Sequence, residues 1–330
     1  MRVRQALRGA GVLLVAWVAM TSWPVAAGAE ATLAFTIRDT RVTESSGLAT
    51  DVASGLYWTA NDSGAQGVAY GVSATGEVRG TLSFRVEPQD VEAVAMTAGR
   101  LYLGDIGDNA AGRREISVFF FDGPQADDQT VTYHSWDFRY PDGAHDAETL
   151  LVDSTGQLYV VTKGRPGAIY AAPPSPSPVT VNRLRKVGQA PAVVTDGVFL
   201  PGDRQIAFLT YTSIVVVDAK TYAEVATAPI PTQQQAESLT LSLDGQSLLV
   251  GSEGRRSKVY SMAIPAAGSS RPSAATTTTT TATPRAGSGD PGSEDAGAAG
   301  PRGRGTFLAI GLAAFVAVVA GAVAGLSRRP

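Results

Sequence analysis

The sequence predicts an all-β fold, a β-propeller of five blades with four antiparallel strands each, and three observations predict it. First, a carboxylate recurs ahead of five similar strand pairs, at Glu44, Glu92, Glu148, Asp196 and Glu237, with spacings of 48, 56, 48 and 41 residues. Second, each opens a short apolar run with a partner run after a turn: ESSGLAT with GLYWTAND, EAVAM with RLYLGD, ETLLVD with QLYVVTK, DGVFL with QIAFLTY, and ESLTLSLDG with SLLVGSE. Third, the five intervals, counted around a closed ring, use every residue from 30 to 265, which is how blade repeats behave. A six-bladed ring is the alternative, because the interval of 56 is long enough to hide an eroded hairpin.

Within a blade the runs order themselves. In the second, an inner strand starts at Glu92, the next covers Arg100–Gly104, a third Glu115–Phe121, and the outer strand lies near Val131–Tyr140. The last repeat supplies three strands, near Glu237–Leu243, Ser247–Ser252 and Lys258–Ile264, so its fourth is expected from Thr32–Asp39. Such a closure removes the open edge a sheet otherwise presents. Alternation of apolar and polar residues is patchy, as expected for sheets covered on both faces by neighbouring blades.

The flanks predict location. Arg2, Arg4 and Arg8 precede an apolar stretch from Gly11 to Met20 and the small-residue tripeptide Ala27-Gly28-Ala29, the pattern of a secretory signal peptide over residues 1–29. Residues 266–305 are rich in Ala, Gly, Ser, Pro and Thr and read as a disordered stalk suited to O-glycosylation. As a flexible coil the stalk would hold the domain on the order of 35 Å from a membrane. Residues 306–326 are 21 uncharged residues, long enough to cross a hydrocarbon core about 30 Å thick as a transmembrane helix. Arg328 and Arg329, in a tail of residues 327–330, then face the cytoplasm. The expected protein is single-pass and held at the cell membrane, with a monomeric extracellular domain over residues 30–265. It lacks cysteine, so burial rather than disulfides must stabilise it.

Residues 30–265 carry 27 acidic and 18 basic side chains, a net charge of −9. That balance disfavours a nucleic-acid partner, whose phosphates need a basic surface, and favours a cation or a cationic partner. In a meander, the start of the first strand and the end of the second share one end of the sheet. This gathers Glu44, Asp90, Glu92, Asp146, Glu148, Asp196 and Glu237 with Asn61, Asp62, Asp105, Asp108, Asn109, Lys163, Arg165, Glu253, Arg255 and Arg256 on one face around the channel.

Carboxylates crowded at a narrow mouth repel unless a counter-charge is present. Ca²⁺, a hard cation that takes oxygen ligands, is one remedy, with Glu44, Asp62, Glu92, Asp105, Asp108 and Glu148 as candidate ligands. The other reading is structural: each strand-start acid caps backbone amides of a neighbouring blade. Asn61, Asn109, Lys163, Arg165, Asp196, Glu237 and Arg255 are candidate ligand-binding residues, the cations offering contacts to an anionic substrate. Zinc is disfavoured, since His134 and His145 are the two histidines and cysteine is absent. His145 is a candidate base on this face, but a Ser63–His145–acid triad would lack a Gly-x-Ser-x-Gly elbow.

ESSGLAT at 44–50, QDVEAVA at 89–95, LYLGDIGDN at 101–109 and DAETLLVD at 146–153 resemble bacterial secreted propellers grouped as phytase-like or esterase-like, over residues 44–165. The resemblance implies a propeller and, as in calcium-dependent phytases, phosphoester hydrolysis at a metal cluster above the channel, with Glu44, Asp62, Glu92, Asp105 and Glu148 as the polar rim. Two functions are therefore expected: a cell-surface propeller binding an extracellular ligand or protein partner on an acidic face, or a calcium-dependent phosphoester or ester hydrolase.

Overall fold

In the computed structural model, which describes residues 31–64 and 66–266, the chain forms five sheets, each built on four antiparallel strands, arranged as a five-bladed β-propeller. Strand β1 (Thr32–Thr36) comes first in sequence and belongs to the last blade. Blade 1 is β2 (Ser45–Asp51), β3 (Leu56–Asn61), β4 (Gly67–Val72) and β5 (Val78–Phe84). Blade 2 is β6 (Val91–Thr97), β7 (Arg100–Asp105) and β8 (Ile116–Asp122), then, after a short β9 (Gln129–Val131), β10 (His134–Arg139). Blade 3 is β11 (Ala147–Val152), β12 (Leu158–Thr162) and β13 (Gly167–Ala171), then, after β14 (Asn182–Arg183), β15 (Arg185–Ala190). Blade 4 is β16 (Val194–Phe199), β17 (Gln205–Thr210), β18 (Ser213–Asp218) and β19 (Glu224–Pro229). Blade 5 is β20 (Ala236–Leu241), β21 (Ser247–Ser252), β22 (Lys258–Ala263) and β1, paired antiparallel from Thr32↔Ser261 to Thr36↔Lys258.

The ring thus closes with the N-terminal strand, three residues shorter than the run the sequence suggested. The long interval holds no sixth blade. Its extra residues form β9, which turns back and pairs in parallel with β5 of blade 1, Leu82↔Gln129 to Phe84↔Val131. Asp128 fastens this strap by accepting from the backbone N and Oγ1 of Thr81, at 2.9 and 3.0 Å. Strand β14 does the same from blade 3 to blade 2, pairing in parallel with β10. Both straps cover outer edges that would otherwise template pairing with another chain.

Five apolar cores lie one between each pair of adjacent blades, which is why the alternation is patchy in sequence. In β7, Leu101 and Leu103 point toward blade 1 while Tyr102 points toward blade 3. In β17, Ile206 and Phe208 join the core with blade 3, and Ala207 and Leu209 the core with blade 5. Successive strand side chains point to opposite faces, so a strand buried on both must be apolar throughout. Phe84, Phe138 and Phe208 are each at most 1% exposed, and burying such a side chain contributes about 1.5–3 kcal/mol.

Among the described residues no helix is long and apolar enough to cross a membrane. The expected signal peptide, transmembrane helix and tail, and the stalk beyond residue 266, lie outside the described residues.

Candidate functional site

Each inner strand carries a break in its ladder near its start. The register shifts between Val91 and Ala93, Ala147 and Thr149, Val194 and Asp196, Ala236 and Ser238, and Ser46 and Ala49. The residues left unpaired are Glu92, Glu148, Thr195 and Glu237, with Gly47 and Leu48 in blade 1. A bulge re-aims the extra side chain, so three of the five repeated acids occupy one structural position. The other two depart from it: Asp196 sits one residue past the bulge, where Thr195 takes the shared place, and Glu44 precedes β2. Gly47 takes a φ of +70°, and a Cβ there would lie 2.6 Å from the backbone N of Val94 in the next blade. That close approach is open only to glycine.

Blade by blade, the acids find different partners. In blade 1, Ser63 Oγ donates to Glu44 Oε2 at 2.6 Å, and Glu44 and Asp62 share a hydrogen bond. Asp62 holds the proton of that pair: burial, then the bond to Glu44 and its charge, push Asp62 up to about 7 while Glu44 is lowered. Asp62 Oδ1 is buried with no partner. In blade 2, Asp90 and Glu92 share a hydrogen bond, and Ser46 Oγ from blade 1 donates to Glu92 Oε2 at 3.3 Å. Glu92 is 9% exposed; burial first, then the charges of Glu148, Asp90 and Glu237, push it up to about 10.

In blade 3, Lys163 Nζ donates to Glu148 Oε1 at 2.6 Å and stands 5.4 Å from the ring centroid of Tyr211. Burial pushes Glu148 up to about 7 against the pull of Lys163. Burial opposes the charge on Lys163, but Glu148 prevails and raises the ammonium above its ordinary value. In blade 5, Glu237 and Glu253 share a hydrogen bond and a common donor, Gln235 Nε2, which lies 3.1 Å from Glu237 Oε1 and also reaches Glu253 Oε2. Burial, then Glu237, push Glu253 up to about 8. Blade 4 is different. Asp196 accepts from the backbone N of Leu239 in blade 5 at 2.6 Å and of Gly197 at 2.7 Å, and burial raises it well above the carboxylate range.

The mouth of the channel is therefore ringed by three carboxyl pairs, in which Asp62, Glu92 and Glu253 are pushed up from their ordinary values, plus one carboxylate–ammonium pair. The opposite end is apolar: a cavity of about 340 Å³ is lined by the far halves of the inner strands, among them Leu48, Val94, Leu150, Val198 and Leu239.

Several sequence-predicted site residues take structural roles instead. Both oxygens of Asp105 accept backbone amides, Gln89 N at 3.1 Å and Asp90 N at 3.0 Å, and Oδ1 also accepts Arg113 Nη1 at 2.8 Å. Asp108 accepts from Gly112 N at 2.9 Å and Arg113 N at 2.7 Å and so closes its own loop. Asn61 Oδ1 accepts from Thr43 N and Glu44 N, and its amide donates to Arg41 O, fixing the entry to β2. Asn109, Arg165 and Arg255 are exposed, the last close enough to Glu44 to favour its charge. Ser63 is engaged with Glu44, while His145 Nε2 lies 3.0 Å from both Asp142 Oδ1 and the Tyr170 hydroxyl, so the two do not form a triad.

The six candidate calcium ligands do not assemble either. Among the described residues no group of three or more His, Cys, Asp or Glu side chains is arranged to hold a metal ion. Glu44 and Asp62 belong to blade 1, Glu92, Asp105 and Asp108 to blade 2 and Glu148 to blade 3, and Asp105 and Asp108 engage their oxygens with backbone amides. Sequence reading missed Ser46, Tyr211 and Gln235, which have no acid or repeat signature and reach the mouth through blade packing.

No protein-family model matches the chain, and no curated protein matches it. Among solved structures it is similar to the β-propeller domain of Cps50 (Swd1) from Myceliophteria thermophila, at 13% identity and a TM-score of 0.38, over 68% of this chain and 65% of that one. The chain thus spans slightly under two thirds of that relative. It is also similar to XC5397 from Xanthomonas campestris, described as a gluconolactonase, at 16% identity and a TM-score of 0.41, over 71% of this chain and 89% of that one.

Proposed function

We propose that this protein is a cell-surface propeller whose acidic mouth binds a cationic ligand bearing more than one ammonium or guanidinium group. The observation that carries the reading is the set of adjacent carboxyl pairs, Glu44 with Asp62, Asp90 with Glu92, and Glu237 with Glu253. Burial and neighbouring like charges favour the protonated forms of Asp62, Glu92 and Glu253 beyond what Arg255, Arg113 and Lys163 offset. A multivalent cation offsets those charges, and its binding should expel protons. The net charge of −9 on residues 30–265 would draw such a ligand to the domain. Delivery to the outside and retention at the membrane rest on the signal-like segment and the terminal apolar run in the sequence.

The test is calorimetric titration of spermidine, with Ca²⁺ in parallel, at pH 7 in two buffers of different ionisation enthalpy. The expected result is saturable spermidine binding with release of about one proton or more, weakened in the Glu92→Gln, Glu237→Gln double variant. Absence of saturable spermidine binding at low salt would refute the reading. Binding of Ca²⁺ alone would restore the calcium proposal in its place.

A second reading, ester hydrolysis, is favoured by one observation. Glu92 and Glu148 are carboxyl groups at equivalent positions of adjacent blades, pushed up to about 10 and about 7. Separated values are the mark of acid and base roles. Turnover of a chromogenic ester that is lost in both Glu92→Gln and Glu148→Gln would support it.

A further inference from the structure

At the end of the channel away from the acids, the cavity of about 340 Å³ falls in the range of small-molecule sites, roughly 300–1,000 Å³. The far halves of all five inner strands, β2, β6, β11, β16 and β20, form its wall. Each side of that wall is rooted in a core between blades. Leu48 belongs to the core of blades 5 and 1, Val94 to that of blades 1 and 2, Leu150 to that of blades 2 and 3, and Leu239 to that of blades 4 and 5, while Phe199 packs on the core of blades 3 and 4. Side chains held at the density of a protein interior do not collapse inward to fill the space, so the cavity is preformed.

The polar groups of the wall are already engaged with one another. Thr50 Oγ1 lies 2.8 Å from Thr240 Oγ1 across the boundary of blades 1 and 5 and donates to Leu241 O. Thr97 Oγ1 donates to Asp153 O at 3.4 Å, and Ser242 Oγ donates to Asp244 and accepts from Ser247 N. A polar group entering between these walls would lose its hydration without a replacement partner. An alkyl chain has no such loss, and it displaces water from apolar surface. Val152, Val198 and Leu241, half-buried on three different blades, offer that surface toward the opening.

Charge at the opening restricts the rest of the ligand. Among the described residues that line the cavity, Asp203 alone is charged. Its Oδ2 accepts from Ser154 N at 3.0 Å, which ties the turn after β16 to the turn after β11. A carboxylate head would meet this acid with no lining cation to offset the repulsion, whereas an uncharged hydroxyl head would not be repelled.

We infer that this cavity binds the alkyl chain of a neutral-headed amphiphile, such as a long-chain alcohol or a monoacylglycerol, with the chain between Leu48, Val94, Leu150, Val198 and Leu239 and the head at the rim beside Ser154 and Asp203. The site is independent of the acidic mouth and of what binds there.

The experiment is photolabelling of the full-length protein, in buffer without detergent, by a decanol bearing a mid-chain diazirine, followed by peptide mapping. Saturable labelling of the far halves of the inner strands is expected, competed by decanol and at least about tenfold less well by decanoate at neutral pH. Val198→Asn, which sets an amide in the wall, and Val152→Trp, which fills space beside it, should each weaken labelling about 5–20-fold. Asp203→Asn, whose amide oxygen can still accept from Ser154 N, should narrow the gap between decanol and decanoate about 3–10-fold. Melting temperatures measured without ligand report whether either wall variant is misfolded, and the other then decides. Labelling that does not saturate, that falls elsewhere on the protein, or that is unchanged in a folded wall variant overturns the inference. Decanoate competing as well as decanol, or a gap unchanged in Asp203→Asn, overturns the assignment of a neutral head.

Discussion

Replacing Glu92 by Gln isolates the electrostatic cost of the mouth. Glu92 has an ordinary value of 4.5 and is pushed up to about 10 in the fold, chiefly by burial and then by Glu148. The folded state therefore binds its proton more tightly than the unfolded chain does. Stability from this group is fully present below about pH 4.5 and is lost progressively as pH rises toward about 10. At pH 7 the unfolded carboxyl has ionised and the folded one has not, a difference of about 3 kcal/mol against the fold at roughly 1.4 kcal/mol per pH unit. Glutamine has the same shape, can still accept from Ser46 Oγ, and titrates in neither state. Glu92→Gln should thus stabilise the protein by about 3 kcal/mol at pH 7, or roughly 6–12 °C in melting temperature for a domain of this size, and by almost nothing at pH 4. Urea unfolding at both pH values, followed by tryptophan fluorescence, measures the difference. A variant equally or less stable than the parent at both pH values would show that Glu92 is an ionised structural acceptor and would remove the basis for reading the mouth as a cation site.

Two further outcomes follow from the packing. Gly47→Ala should cost several kcal/mol, since its φ of +70° and the 2.6 Å approach of Val94 N leave no space for a Cβ; a melting temperature within about 2 °C of the parent, less than a 1 kcal/mol loss would give, would show that the blades can separate there. Deleting residues 32–36 should expose the edge of β22 and cause aggregation, measurable by light scattering; a monodisperse variant of unchanged stability would mean that closure does not depend on β1.

Blade number, strand order and the circular closure were legible in the sequence because they depend on repeat length and on runs of apolar residues, which are local. The gathering of Glu92, Glu148, Lys163 and Glu237 at one mouth followed from the meander for the same reason. What each acid does there was not legible. Glu92 and Asp196 have similar places in the repeat, yet a one-residue difference relative to the bulge sets one beside Asp90 and Ser46 at the mouth and makes the other a cap on Leu239. Asp105 and Asp108 read as ligands, but backbone amides set by the fold of their own loop claim their oxygens. The concavity lined by Arg113, Arg114, Arg139 and Tyr140 joins the loop between β7 and β8 to the end of β10 and the connection after it, a juxtaposition with no repeat or motif to announce it. Sequence determines architecture here because burial follows periodicity. Only tertiary structure decides chemistry, because charge, hydrogen-bond partners and desolvation depend on which residues of neighbouring blades meet.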